Sequence, residues 1–315
     1  MTRSLCQPPA VLYSARRTEI NCRTALGGLI VPQRRVPTLI PGYGKSYALL
    51  SKAEGVDTAV IFVHGLGGKP TSTWRDFQGL ADEYSTEYTW WTTSDMFFYA
   101  YESLHTPIRQ NASLLGVFVG AVWQGTWEGT DSSDSTMKYK DLILAGHSEG
   151  GVIIRRLILD RYEEIELKVR EANPGADANR LKASMKHALG SDFVLASYLR
   201  LFAPACRGTN FSSWVGFLTS FSHLVSAITA SSLVRNELLP ESPVLNTLKT
   251  GTEKAHAEFH EVRGLFTQPL FGVPDQIVYS ESYQGEKLLW DAGYDHSGVC
   301  KPDYTHKRPL EFVRK

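Results

Sequence analysis

The sequence predicts an α/β fold, a mostly parallel central sheet with helices on both faces. Three observations predict it. Short apolar runs recur along the chain, and stretches of helical periodicity separate them. At one junction, an apolar run passes through a glycine-flanked serine straight into a helical pattern.

The first strand is Asp57–Val63 (DTAVIFV), which ends at His64-Gly65. Asp95–Tyr101, Asp141–Ala145 and Leu199–Ala203 read the same way, as continuous apolar runs suited to a sheet buried on both faces. A further strand is expected at Phe259–Phe266, and another at Leu288–Trp290. Between them, residues 107–123 carry the stripe Ile108, Leu115, Phe118, Val122. The stretch from Glu149 to about Ala172 starts apolar and becomes charged. Residues 160–195 form a charged segment broken by Asn173-Pro174-Gly175. It reads as a helical excursion with a turn, outside the core.

Composition bounds the function. With 43% apolar and 21% charged residues over 315 positions, the chain is not mainly disordered. The 33 basic and 33 acidic residues balance, which argues against a nucleic-acid-binding surface. The first 45 residues nevertheless carry a net charge of +6. They read as a solvated arm or edge strands, or as a contact with an anionic partner or membrane surface. Cys6, Cys22, Cys206 and Cys300 are scattered, with no CxxC and no Cys/His cluster. Neither a metal site nor a disulfide framework is expected, and no cofactor is implied. The opening MTRSLCQPPAVL lacks an apolar signal region, so the expected compartment is the cytoplasm, with peripheral membrane contact as an option.

The sharpest motif is Gly146-His147-Ser148-Glu149-Gly150, between strand and helix. In a nucleophile elbow the serine sits on a strained turn, its near neighbours must be glycine, and its hydroxyl is pushed out at the top of the sheet. Ser148 is the expected nucleophile. A second glycine loop, His64-Gly65-Leu66-Gly67-Gly68, follows the first strand. An oxyanion hole needs two N–H donors, and the backbones of Leu66 and Glu149 are placed to supply them. His64 reads as a brace for its loop. The Glu149 side chain either complements the helix dipole or raises the negative potential against anionic substrates.

The base is expected after the serine in the chain. His296, in the small-residue turn Asp295-His296-Ser297-Gly298 after the last apolar run, is the choice over His187, His223, His256, His260 and His306. The acid is expected one loop earlier. Asp275, 21 residues before His296, leads, with Glu281 and Glu261 as alternatives.

Taken together, these segments resemble the lipase-like serine esterases of the α/β-hydrolase superfamily, in the branch of the serine-active-site-containing protein. The segments, in order, are FVHGLGG (62–68) with Thr73-Trp74-Arg75-Asp76, FFYAYES (97–103), AGHSEGGV (145–152), FAPACRGT (202–209), IVYSES (277–282), and DHSGVCKP (295–302) with LEFVR (310–314). The resemblance spans residues 60–314 and does not extend to the first 50 residues or to the 160–195 segment; the expected division is a basic arm or edge strands at 1–50 and an α/β-hydrolase domain over 51–315. The resemblance implies Ser148 as nucleophile, His296 as base, and Leu66 and Glu149 as oxyanion donors. Cys206 stands where the family often has a histidine, a position that is not the base.

The expected activity is hydrolysis of carboxylic esters through an acyl-enzyme, on a small-molecule or lipid ester. A thioesterase, amidase or acyltransferase would use the same triad, and a non-catalytic interaction module on this fold is the other alternative. Two features favour a lipid-like substrate. Residues 212–234 hold no charged residue, and Trp214, Leu218, Phe221, Val225 and Ile228 fall on one helical face. That stretch reads as core packing or as a lid within a cap at about 208–250. The second feature is a group of tryptophans, Trp90, Trp91, Trp123 and Trp127.

Overall fold

The computed structural model describes residues 35–51, 53, 55–74, 77–83, 87, 89–128, 139–210 and 232–314. The basic arm up to residue 34 and most of the uncharged stretch, residues 211–231, lie outside the described residues.

Eight strands form one sheet: β1 Pro37–Leu39, β2 Tyr47–Leu49, β3 Thr58–Val63, β4 Ser94–Tyr99, β5 Asp141–His147, β6 Tyr198–Phe202, β7 Leu270–Val273 and β8 Leu289–Ala292. Their order is β1-β2-β4-β3-β5-β6-β7-β8. β1 and β2 pair antiparallel at one edge, and every pairing from β4 through β8 is parallel. β3 and β4 are buried along their whole length, as two-sided coverage requires. The loops leaving β3, β5, β6, β7 and β8 therefore all emerge along one edge of the sheet, where ligands of open α/β sheets bind.

Alternation along the strands assigns the helices to faces. Phe62 and Phe98 stack at 4.7 Å. Phe62 meets Trp74, which follows α1 (Pro70–Thr73), and Phe77 of α2 (Phe77–Glu83). Phe202 on the same face meets Phe312 of the C-terminal helix Arg308–Val313. The neighbouring residues Phe97 and Tyr99 point the other way. They meet Trp127 and Phe118, the latter in α3 (Ile108–Gln124). α4 (Glu149–Ala172) packs against α3. Its first turns, GGVIIRRLIL, are buried all round, so the helix carrying the serine's N-terminal junction is anchored in the core.

Two expectations change. The 160–195 segment is helical with a turn at Asn173–Gly175, continuing α4 and then forming α5 (Ala178–Ser191). It does not stand outside the core, because Tyr162, Ile165, Val169, Met185 and Leu189 are buried in the main cluster. Most of its charges lie on the outer face, while Asp192 is buried and pairs with Arg161. Phe259–Phe266 is not a strand. It is a turn and a short 3-10 helix, Arg263–Leu265, and the strand lies later, at Leu270–Val273. Phe259, Val262 and Leu265 are buried at a spacing of three, the period of a 3-10 turn rather than of a strand.

The tryptophans also read differently in place. Trp91, Trp123 and Trp127 are buried. Trp90 stacks on Trp91, Trp91 packs on Phe77, and Trp123 stacks on Phe193. Trp90 and Trp91 immediately precede β4, and Trp127 sits near Tyr139 across Phe97. The cluster is core at the amino-terminal end of the strands, so it lends no support to a lipid-binding surface.

One buried ion pair ties α4 to the chain entering β8. Arg155 donates to both oxygens of Glu286 at 2.7 Å, and each side chain is only 3% exposed. Glu286 also accepts from the backbone of Thr267 and Tyr283, and the guanidinium lies 4.3 Å from the Tyr283 ring centre. Removing one partner strands the other charge without water. Glu286→Ala is therefore expected to destabilise the fold by about 3–5 kcal/mol, as measured by denaturant unfolding. A loss under about 1 kcal/mol would mean the pair behaves as a surface bridge.

After residue 231 the chain forms α6 (Ser232–Glu237) and α7 (Pro243–Glu258), followed by α8 at Arg308–Val313. Ser242 caps α7 by accepting from Leu245 N–H, a contact worth about 1 kcal/mol. Among the described residues, no helix is long and apolar enough to cross a membrane.

Candidate active site

Ser148 sits between β5 and α4 at φ 54° and ψ −120°, a region that ordinary residues avoid. The surroundings hold it there. Its N–H donates to Phe202 O at 3.0 Å, and its carbonyl accepts from Gly151 and Ala205 N–H at 3.1 and 3.2 Å. A Cβ on Gly150 would lie 2.3 Å from Val63 O, and one on Gly146 would lie 2.8 Å from Gly151 N. Neither position has room for a side chain, which is the elbow's requirement.

The loop after β3 comes against this turn. A Cβ on Gly65 would stand 2.8 Å from Ser148 Cβ. Ser103 Oγ accepts from Gly67 N–H at 2.9 Å, and Gly68 N–H turns back to Gly65 O. Among the described residues, the Leu66 N–H has no protein partner. Glu149 opens α4, so its N–H has no partner within the helix. His64 is buried, its Nδ1 is 2.9 Å from Gly65 O, and its ring stacks on Tyr101. Burial lowers its pKa to about 4, so it is neutral near pH 7. It braces the loop, as its place in the sequence suggested.

His296 and Asp275 meet across the loops after β8 and β7. The His296 Nδ1–H donates to Asp275 Oδ2 at 3.0 Å, and the two side chains are 5% and 0% exposed. The other oxygen of Asp275 accepts from Ile277 and Val278 N–H, at 3.0 and 3.2 Å. The carboxylate is thus fixed by its own turn before it receives the imidazole. Glu281 pairs with Arg207, and Glu261 with Lys186, so neither alternative acid is the partner of His296.

The sheet order, with the glycine-flanked serine at positive φ after central strand β5 and a His–Asp pair on the loops after β7 and β8, decides the architecture. The fold is that of the α/β-hydrolases.

No protein-family model matches the chain, and no curated protein sequence matches it. Several solved structures are similar. One is a monoacylglycerol lipase of Paleococcus ferrophilus, at 12% identity over 85% of this chain and 96% of that one, with a TM-score of 0.41. Another is naproxen esterase of Bacillus subtilis, at 12% identity over 90% and 93%, TM-score 0.44. A third is Est1E of Butyrivibrio proteoclasticus, at 14% identity over 88% and 95%, TM-score 0.43. Likeness at this level carries no argument about chemistry, and the α/β-hydrolase assignment rests on the strand order and the elbow.

Two features of the site were not legible in the sequence. His147, inside the elbow motif, turns its ring to His296. Its Nε2–H donates to His296 O at 2.8 Å, and the two rings lie 4.8 Å apart. Burial holds its pKa well below the usual histidine value. It is neutral and links the turn of Ser148 to the loop of His296. The adjacency of His147 to Ser148 was the available signal.

The second feature is the state of Glu149. Its side chain is fully buried, and burial raises its pKa well above the ordinary value of 4.5. Tyr101 has one hydroxyl proton and donates it to His64 O at 2.7 Å. A longer contact of 3.4 Å links the same hydroxyl to Glu149 Oε2, and among the described residues no cation pairs with this carboxyl. Both sequence expectations for Glu149 required a negative charge, for the helix dipole or for repelling anions. Burial that favours the neutral form works against both.

A carboxyl kept protonated in the fold costs stability once the unfolded chain can ionise. Below about pH 4.5 both states hold the proton. Above it the unfolded state releases it first, so stability falls as pH rises, by at most about 1.4 kcal/mol per pH unit. Glu149→Gln keeps a neutral, similarly shaped group and removes this loss. Its melting temperature is expected to match the native chain near pH 4.5 and to exceed it increasingly towards pH 8. A constant difference across that range would show that the carboxyl is ionised in the fold.

Among the described residues, no group of His, Cys, Asp and Glu is arranged to hold a metal ion. Cys206 and Cys300 are buried and free. Burial pushes the Cys300 thiol up to about 12, consistent with a packing role.

Proposed function

We propose that this chain is a serine hydrolase of carboxylic esters. The observation that carries the reading is the buried hydrogen bond from His296 to Asp275. With Nδ1–H committed to the carboxylate, Nε2 carries the lone pair that a general base needs. Ser148 Oγ attacks the ester carbonyl and passes its proton to His296 Nε2. The N–H groups of Leu66 and Glu149 receive the oxyanion. Collapse breaks the ester C–O bond, and His296 returns the proton to the departing alcohol. Water, deprotonated by His296, then hydrolyses the acyl-enzyme and frees Ser148. A non-catalytic module would have no use for a strained serine or for a carboxylate buried on a histidine.

An acyl-chain substrate is the finer part of the proposal. It rests on the uncharged 212–234 stretch alone, since the tryptophans belong to the core.

A fluorophosphonate probe is expected to label the folded chain at one residue, Ser148, as read by peptide mass spectrometry. Folded protein that stays unlabelled would end the hydrolase reading. On a panel of p-nitrophenyl esters, a lipid preference predicts kcat/KM rising with acyl length. A flat or falling profile assigns short esters instead.

A further inference from the structure

A cavity of about 820 Å³ lies at the other end of the sheet. It is lined by the first residues of β6 (Tyr198, Leu199, Arg200), by residues leading into β7, and by the first residue of β8. Ser148, Leu66, Asp275 and His296 all stand at the opposite, carboxyl ends of the strands, so no bound ester is shared between the two places.

Four arginines line it: Arg200, Arg263, Arg308 and Arg314. Elsewhere in the chain, Arg155, Arg156, Arg161, Arg170 and Arg207 each pair with a carboxylate. Among the described residues, none of the four cavity arginines does. Arg200 is half-buried and donates from Nε and Nη2 to Arg314 O, at 3.0 and 2.7 Å, and from Nη1 to Leu199 O. Arg263 donates to Ala196 O and lies 4.0 Å from the Tyr198 ring centre, with Arg200 at 5.6 Å from the same ring. Carbonyls and a ring face satisfy donors without pairing any of the four with a carboxylate, and the four arginines outnumber the two lining acids. Of these acids, Glu261 pairs with Lys186, and among the described residues Glu311 forms no ion pair with any of the four arginines.

We propose that this cavity binds a small, free phosphate-bearing molecule. Guanidinium forks match phosphate oxygens in pairs, and phosphate carries the charge that several unpaired arginines select. The volume suits a small molecule rather than a macromolecular face. His256 and Phe266, stacked 5.4 Å apart, offer an aromatic wall for an organic part.

The test is calorimetric titration of the full chain at constant ionic strength with inorganic pyrophosphate and with adenosine 5′-monophosphate. Arg308→Gln removes an exposed guanidinium with no described partner. The Arg263→Gln/Arg308→Gln double variant removes two cavity charges. The native chain is expected to bind, with affinity falling about tenfold in the double variant and by a smaller factor in the single one. Arg170→Gln, on the outer face of α4, is expected to leave affinity unchanged. No binding at millimolar probe, equal binding by the double variant, or equal weakening by Arg170→Gln would each overturn the proposal. So would binding to vesicles of phosphatidic acid in phosphatidylcholine without binding to either soluble phosphate. Tighter binding of the nucleotide than of pyrophosphate would support it and assign the aromatic wall to the base. Labelling of Ser148 tests the hydrolase reading separately, so either can fail alone.

Discussion

Ser148→Ala and His296→Ala are each expected to lower kcat about 10⁶-fold, and the double variant is expected to lose little more. The attack requires both partners at once. A serine without a base is a weak nucleophile, and a base without the serine has no oxygen to activate. Their losses therefore coincide rather than add. Residual hydrolysis should stay above the uncatalysed rate by about 10³–10⁴-fold, because the Leu66 and Glu149 N–H groups still face the oxyanion. Steady-state kinetics on one activated ester, with unfolding curves for each variant, would check this. Fully additive losses would mean that the two residues act in separate steps, and retention of activity in Ser148→Ala would remove the acyl-enzyme.

Asp275→Asn is expected to lower kcat about 10⁴-fold with little change in KM. The mechanism is specific to this loop. Oδ1 of Asp275 accepts from the N–H groups of Ile277 and Val278, so an asparagine would keep its carbonyl there. Its amide NH₂ would then face His296 Nδ1, where only an acceptor can sit opposite it. The imidazole proton would be forced onto Nε2, the atom that must receive the serine proton. The loop should stay folded while the base carries the wrong tautomer. Asp275→Ala would also lose the two backbone contacts, so a larger fall in melting temperature is expected for alanine than for asparagine. Equal kcat for Asp275→Asn and the native chain would show that the carboxylate only shapes its turn.

How much of this was legible in the sequence depended on the range of the constraint. The elbow was readable because its requirements are local. The glycines beside Ser148 are dictated by backbone atoms of the same turn and the adjacent strand. The strands Thr58–Val63, Ser94–Tyr99 and Asp141–His147 were readable because burial on both faces writes a continuous apolar run. The error at Phe259–Phe266 has the opposite origin. Phe259, Val262, Leu265 and Phe266 crowd apolar residues into a short span that is a turn and a 3-10 helix, and the real strand Leu270–Val273 holds only four residues.

The sequence by itself determined the α/β class, the serine at its elbow, the glycine loop beside it and a short set of partners. Tertiary structure alone decided three things. It chose Asp275 over Glu281 and Glu261 as the partner of His296, because the loop after β7 faces the loop after β8 while the other two carboxylates meet Arg207 and Lys186. It shut the Glu149 carboxyl away from water, and that burial raises its pKa well above the ordinary value. It placed Trp91, Trp123 and Trp127 in the core and left four arginines around one cavity with no ion-paired carboxylate among the described residues. A side chain's local propensity is set by its neighbours in sequence. Its charge state and partner are set by solvent exclusion and by groups that only folding brings near.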